Sequence, residues 1–183
     1  TSSYSNTVSS FFSAKFQKSI EELIVSPTPY SVIIIGYISG GVIRGLISGS
    51  LVLIVSMFFV DISSIYSIST MLLVGILASI IFANIGFING LYARNFDDIS
   101  WIPSFVLTPL SYLGGIFYSI KQLPNIWYKI SLFNPVFYCI DIMRFSILGL
   151  KTLNVGLMIF ISIFIIIILY ILTIRIMKIR LLK

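Results

Sequence analysis

Long uncharged, mostly apolar runs divide the chain, and short charged connections separate them. Four runs are long enough to cross a hydrocarbon core of about 30 Å as helices, since an α-helix rises about 1.5 Å per residue. Their predicted bounds are 31–60, 68–93, 99–120 and 152–174. The pattern therefore predicts an all-α protein with four full membrane spans.

The segment between the third and fourth runs is too short for a span. Only 11 uncharged residues separate Lys129 from Asp141, about 16 Å as a helix, and Pro135 interrupts them. A broken helix at membrane depth needs its free backbone groups buried in protein. We therefore predict that residues 122–150 form a re-entrant pair of short helices on the outer side.

The first 29 residues have a different pattern. Residues 1–14 are polar and aromatic, and because the chain starts with Thr1 we expect them to be the end of a span whose beginning is missing. Apolar residues then recur every four positions, at Phe12, Phe16, Ile20 and Ile24, opposite Lys15, Lys18 and Glu22. This spacing predicts an amphipathic helix on the inner surface, with residues 15–29 as a cytoplasmic segment.

The composition supports a membrane protein and excludes several kinds of chemistry. Hydrophobic residues make up 58% of the chain and charged residues 10%, with a mean hydropathy of +1.08; soluble domains carry about a quarter charged residues. With no histidine and one cysteine, Cys139, the chain cannot form an internal disulfide, a His/Cys zinc site or a Ser-His-Asp triad. The P-loop and dinucleotide-binding motifs are absent. We therefore predict no catalytic, cofactor-binding or metal-binding residue, and any ATP must bind another chain.

The charge distribution predicts the orientation. The net charge of +6 reflects basic residues at the ends of apolar runs, which favours membrane orientation over nucleic-acid binding. With four spans, the inner side holds Lys15, Lys18, Arg94, Arg175, Lys178, Arg180 and Lys183, with Arg44 near its boundary. The outer side holds Lys121, Lys129, Arg144 and Lys151. This bias predicts a cytoplasmic basic tail at 175–183, and an Arg44 side chain that reaches the inner headgroups.

Glycines and paired charges are the other candidate features. Gly41, Gly45 and Gly49, and then Gly86 and Gly90, recur four apart, a spacing that lets helices approach closely within the chain or at a subunit interface. Asp141 and Arg144 are three apart and can pair on one helix face, as an outer gate or as a structural salt bridge. The adjacent carboxylates Glu21/Glu22 and Asp97/Asp98 lie in predicted connections, where we assign them no acid/base role.

The order of motifs resembles the ABC-2 type membrane permease family, particularly the YadH-like inner-membrane export permeases of bacteria. The matching segments are SSFFSAKFQKSIEELIVSP, GYISGGVIRGL, NFDDISWIPSFVLTPLSYLGGIFYSI, Leu-Pro-x-x-Trp and NPVFYCIDIMRFSILG, followed by a basic tail. The resemblance implies one six-span transmembrane domain, of which residues 1–183 would lack the first span and most of the second. It also implies a homodimer in the bacterial inner membrane, docked on two copies of a separate ABC ATPase that binds the ATP and Mg²⁺.

The resemblance further implies two functional regions. The ATPase-coupling segment would contain Lys18, Ile20, Glu21, Glu22, Leu23 and Pro27. The outer gate and re-entrant segment would contain Gly114, Gly115, Phe117, Tyr118, Pro124, Trp127, Asn134, Pro135, Asp141 and Arg144. The implied function is export of an amphipathic cargo (polysaccharide, lipid-linked sugar, lipid or drug) by alternating access. The alternatives are a secondary carrier, which the lack of Asp, Glu and His in the predicted spans disfavours, and a non-transporting scaffold.

Overall fold

The computed structural model describes residues 1–59, 65–118, 124–150 and 153–181, and the regular structure in these ranges is helical. The helices are α1 (Ser2–Phe16), α2 (Ser19–Val25), α3 (Tyr30–Ser56), α4 (Ile68–Tyr92), α5 (Phe96–Ile102), α6 (Thr108–Leu113), α7 (Asn125–Leu132), α8 (Pro135–Leu148) and α9 (Val155–Leu181). A π-helical turn, Pro103–Leu107, joins α5 to α6. The predicted all-α class is confirmed.

Three of the described helices, α3, α4 and α9, are individually long and apolar enough to cross a membrane. The pair α7 and α8 is bent by 93° at its break and would supply a fourth span if counted as one. Such a bend belongs to a broken span or to a re-entrant loop, and the sequence predicted the second. The predicted span ends at residues 60, 119–120 and 152 lie outside the described residues.

The predicted span 99–120 is broken rather than being one regular helix. Pro109 has no N–H, so it cannot donate the usual helical bond to the carbonyl four residues earlier. The N–H of Thr108 bonds to the carbonyl of Pro103, five residues back, and this wider turn is the π-helix. The sequence contains the prolines at the break, although the length of the uncharged run predicted a full span over 99–120.

Helix α4 is the centre of the fold. It packs against α1, α3, α8 and α9, and half of its most apolar stretch is buried, compared with 11% for α3 and for α9. The two outer helices therefore present most of their apolar side chains outward, as helices in contact with lipid do. Helix α1 fills the space between α3 and α4, with Tyr4, Val8 and Phe11 fully buried.

Hydrogen bonds and ring contacts show which of the described residues lie at each end of the bundle. At the basic end, Lys15 of α1 bonds to the carbonyls that end α4, and Arg180 of α9 lies 4.0 Å above the ring of Tyr92. At the opposite end, the backbone N–H of Ser67 bonds to Ser146 of α8 at 2.9 Å. The predicted ATPase-coupling segment and the predicted outer gate therefore lie at opposite ends of the bundle.

The structure differs from the predicted amphipathic helix over Phe12–Ile24. Helix α1 ends at Phe16, and Lys18 has a left-handed φ of 59°, so α2 starts in a new direction. Phe16, predicted on the apolar face, is 69% exposed, whereas Ile20 is buried. At the other terminus α9 continues through residues 175–181, so the described part of the predicted tail extends the helix.

Arg44 lies near the middle of α3. It is fourteen residues after Tyr30 and twelve before Ser56, about 21 Å and 18 Å from the two ends of the helix. That its side chain reaches the inner headgroups stays a prediction. Arg44 donates a hydrogen bond to the Asn6 amide oxygen of α1 at 3.3 Å.

Candidate functional site

Side chains of α7, of α8 and of the corner between them bind carbonyl groups at the end of α6 and in the turn that follows it. The Ser131 hydroxyl donates to the Leu113 carbonyl at 2.9 Å, and the Asn134 amide donates to the Leu110 carbonyl at 2.5 Å. The Arg144 guanidinium donates to the Gly115 carbonyl and, at 3.2 Å, to that of Tyr118. The last carbonyls of a helix have no partner within it. We call Ser131, Asn134 and Arg144 the carbonyl clamp.

The corner between α7 and α8 is held by its own hydrogen bonds. The Asn134 side chain caps α8 by accepting from the Val136 N–H at 2.9 Å, while Pro135 occupies the first turn, where a missing N–H costs nothing. The Tyr138 hydroxyl donates to the Leu132 carbonyl at 2.6 Å. The Asn-Pro dipeptide therefore sets the bend and also positions one member of the clamp.

Asp141 orients the guanidinium of the clamp. Its carboxylate lies 3.7 Å from Arg144, and the two side chains are 1% and 20% exposed. On the other side of the contact, Gly115 has a φ of 84°, which favours glycine, and the buried Gly114 packs against Ile140. The Leu-Gly-Gly turn thus gives the arginine access to backbone carbonyls.

The structure brings seven of the ten predicted outer residues into or beside the clamp: Gly114, Gly115, Tyr118, Asn134, Pro135, Asp141 and Arg144. Phe117, Pro124 and Trp127 are exposed and do not join it. Phe117 stacks on Tyr112, with ring centroids 5.6 Å apart. Ser131 was missed because one serine in an apolar segment gives no sequence signal.

The predicted coupling segment includes α2, which is anchored through Ile20. Ile20 is 3% exposed and lies in a cluster with Phe11, Ile34 and Met177. The residues on the outward side are exposed: Lys18, Glu21, Glu22, Leu23, Val25 and Pro27. The helix thus presents two carboxylates and two apolar side chains on a short, anchored support.

Lys15 joins this segment to α4. Its ammonium donates to the carbonyls of Leu91 and Ala93 at 3.2 and 3.0 Å, at the C-terminus of α4, where a cation is stabilised by the helix dipole. Burial, and then the charge of Arg180, lower the pKa of Lys15 below its ordinary value. The sequence placed Lys15 on the solvated face of an amphipathic helix and missed this contact, which joins positions more than 70 residues apart.

The paired carboxylate at 97–98 has a structural role. Asp98 accepts from the backbone N–H groups of Arg94 at 2.8 Å and Asn95 at 3.3 Å, in a capping box that starts α5. These two bonds hold the pKa of Asp98 below its usual range.

Most of the predicted packing glycines face α1. A Cβ on Gly86 would lie 2.6 Å from the Tyr4 carbonyl oxygen, and one on Gly90 would lie 2.9 Å from the Phe11 ring. Gly41 and Gly45 of α3 approach Ser3 and Thr7 of α1 just as closely. Gly49 has open space around its Cβ position among the described residues.

Amides inside the bundle join α4 to its neighbours. The Asn89 amide donates to the Tyr4 hydroxyl at 2.5 Å, and this hydroxyl donates to the Ile99 carbonyl at 3.2 Å. The Asn84 amide donates to the Ile80 carbonyl of its own helix at 2.9 Å, and its oxygen lies 3.5 Å from the Thr173 hydroxyl of α9. That hydroxyl donates to the Leu169 carbonyl at 2.7 Å. Asn89 therefore connects helices, as buried amides in spans often do, and Asn84 lies against α9.

Comparisons with known proteins agree with this arrangement. The family described as ABC-2 type transporter matches residues 1–148. The chain is 49% identical over 151 residues to the inner membrane transport permease YadH of Escherichia coli K12, and equally to that of Shigella flexneri. Nodulation protein J of Rhizobium leguminosarum bv. viciae is 31% identical over 74 residues, which are 40% of this chain and 29% of that protein.

The YadH alignments cover 82% of this chain and 59% of the relatives, so the chain spans about three-fifths of the length of these curated proteins. No solved structure matches the chain significantly. The family match covers most of the sequence and includes α2, the broken helix α5–α6 and the carbonyl clamp. The chain belongs to the ABC-2 type transporter family.

Proposed function

We propose that this protein is the permease subunit of an ABC exporter in the bacterial inner membrane, driven by a separate ATPase. The observation that carries the proposal is the exposed face of α2, which is anchored through Ile20 and lies beside the Lys15 contact to α4. A short element with exposed carboxylates and apolar side chains suits docking of another protein. Its attachment to the central helix gives a route for motion into the bundle.

The charges support placing α2 in the cytoplasm. Among the described residues, the basic end holds Lys15, Lys18, Arg94, Arg175, Lys178 and Arg180, whereas the opposite end holds Lys129 and Arg144. Basic residues are enriched on the cytoplasmic side of membrane proteins. In this orientation α9 ends in the cytoplasm and the carbonyl clamp faces the outer side.

The proposed mechanism is alternating access, with motion passing through packed helices. When the ATPases close on ATP, α2 moves, and the Lys15 contact and the α1–α4 packing carry this displacement to α4. Helix α4 packs on α8, and α8 holds the end of α6 through Arg144. The outer gate then opens where the clamp meets the Leu-Gly-Gly turn.

The proposal includes a second copy of the permease, two ATPase chains that bind ATP and Mg²⁺, and lipid around the spans. The exposed apolar faces of α3 and α9 suit lipid contact, and an apolar cleft of about 370 Å³ lies between α3, α4 and α9. The cargo class is an amphipathic molecule: a polysaccharide, a lipid-linked sugar, a lipid or a drug.

Charge reversal on α2 tests the coupling role. We expect the double variant Glu21→Lys/Glu22→Lys to lose at least tenfold of the permease-stimulated ATPase rate, because it replaces two exposed negative charges with positive ones. Both side chains are exposed, so the bundle should stay folded. The measurement is ATP hydrolysis by the ATPase reconstituted with full-length permease in proteoliposomes.

Asp97→Lys is the matched control, since Asp97 is an exposed carboxylate at the same end but outside α2. It should keep the stimulation of the unmodified protein. Equal rates for the α2 double variant and the unmodified permease would refute the coupling role.

A further inference from the structure

Helix α1 has a second face on which no other described helix packs closely, apart from the contact with Arg44. Its buried side carries Tyr4, Val8 and Phe11, whereas Ser5, Ser9 and Ser10 on the other side are exposed. These hydroxyls, together with neighbouring polar groups, line a groove of about 370 Å³. The lining residues of this serine groove are Ser5, Asn6, Ser9, Ser10, Ser13 and Arg44.

Arg44 makes the serine groove electropositive. Its side chain is exposed and bonds to the neutral Asn6 oxygen, so this contact leaves the positive charge uncompensated. The sequences of α1, α3, α4 and α9 contain neither Asp nor Glu. A cation this far from both ends of a spanning helix is costly unless it faces water, protein or a counter-charge. A negative charge has to come from outside these four helices.

The donors present in the groove match an oxyanion. A guanidinium forms paired hydrogen bonds to phosphate or carboxylate, and serine hydroxyls donate to the remaining oxygens. A neutral polyol would use the hydroxyls but leave the charge of Arg44 unbalanced. Beside the groove, Ile47 and Leu51 follow Arg44 at helical spacing and are 57% and 59% exposed, so an alkyl chain has an apolar surface to lie on.

We propose that the serine groove binds the phosphate or carboxylate of an anionic amphipathic cargo, with Arg44 as the counter-charge. This assignment rests on the proposed export function and narrows its cargo to molecules with a negative head and an apolar tail. Ser5, Ser9 and Ser13, one helical turn apart, form a line of donors along which the head group is held.

The test measures direct binding, which requires no ATPase. Radiolabelled dodecyl phosphate is titrated onto the full-length protein in phosphatidylcholine nanodiscs, with dodecyl glucoside and inorganic phosphate as competitors. We expect Arg44→Gln to weaken dodecyl phosphate binding at least tenfold and Arg44→Lys to weaken it less. Arg175→Gln, which removes an exposed arginine near the end of α9, should leave it unchanged. Both competitors should compete poorly, because dodecyl glucoside lacks the negative charge and inorganic phosphate lacks the alkyl tail.

A second measurement covers the case in which the Arg44 variant fails to fold. Ser9→Cys should react with a charged, membrane-impermeant thiol reagent, and dodecyl phosphate should protect it; Ile43→Cys, on the exposed apolar side of α3, should not react. Unchanged binding in Arg44→Gln would overturn the proposal. Disulfide crosslinking of Ser9→Cys between two copies would also overturn it, because the groove would then be a subunit interface. Complete competition by phosphatidylglycerol in the nanodisc would overturn it as well, because the groove would then bind resident lipid. Arg44-dependent binding in a protein that retains no ATPase would support the anion site and refute the export function separately.

Discussion

Arg144→Ala is expected to lower the free energy of unfolding of the α6–α8 region by about 1–3 kcal/mol, the usual cost of leaving buried hydrogen-bonding groups without their donor. The substitution removes the guanidinium from a carboxylate that is 1% exposed, and it also removes the donor to the carbonyls of Gly115 and Tyr118. Cys139, on the same helix and 7% exposed, reports the opening. The measurement is the midpoint temperature for reaction of Cys139 with a thiol-reactive dye.

Lys129→Ala is the matched control, because Lys129 is an exposed cation on α7. In this variant, Cys139 should react with the dye at the midpoint temperature of the unmodified protein. Arg144→Lys should fall between the two, since an ammonium keeps the charge but cannot reproduce the planar set of donors that contacts several oxygens. Identical midpoints for Arg144→Ala and Lys129→Ala would show that the clamp does not hold the hairpin.

Gly86→Val is expected to destabilise the packing of α1 on α4 by about 1–3 kcal/mol, the usual cost of overpacking. The first added carbon would lie 2.6 Å from the Tyr4 carbonyl oxygen, and a backbone atom cannot move aside as a flexible side chain can. Because α1 leads into α2, its displacement should also reduce permease-stimulated ATP hydrolysis. The measurements are the thermal midpoint, followed by size-exclusion chromatography, and the stimulated ATPase rate.

Gly49→Val provides the comparison, since its Cβ position meets open space among the described residues. It should keep both the thermal midpoint and the ATPase rate. An equal loss of thermal midpoint and ATPase rate in Gly49→Val and Gly86→Val would contradict this assignment. It would indicate that the important glycine contact lies on a surface where α3 meets another chain, not at the α1–α4 interface.

The features that could be predicted from the sequence depend on the length of uncharged runs and on residues such as proline. Uncharged runs located α3, α4 and the start of α9 within about one helical turn, although α9 continues into the predicted tail. The 11-residue run interrupted by Pro135 predicted the bent pair α7 and α8. These signals are local because a bilayer fixes the length of a span and a proline removes a donor wherever it occurs. Asp141 and Arg144 pair for the same reason: helical spacing alone brings them to one face.

Contacts between distant positions could not be predicted in this way. Nothing near Lys15 in the sequence indicates that its ammonium binds the end of α4, and the left-handed turn at Lys18 occurs without the glycine that would have signalled it. The serine repeat at Ser5, Ser9 and Ser13 was a readable signal for a polar helix face, but its meaning depends on Arg44, more than 30 residues later. Spacing determines the faces of a helix, and packing determines which neighbour each face meets.

The most direct test of the proposed function is affinity purification of the full-length protein from native membranes in a mild detergent, with mass spectrometry of the bound proteins. We expect a P-loop ATPase in stoichiometric amount, lost when Glu21 and Glu22 are both changed to Lys and kept with Asp97→Lys. Recovery of a second copy of the permease without any P-loop ATPase would overturn the proposed function, because the complex would be intact and its proposed energy source absent.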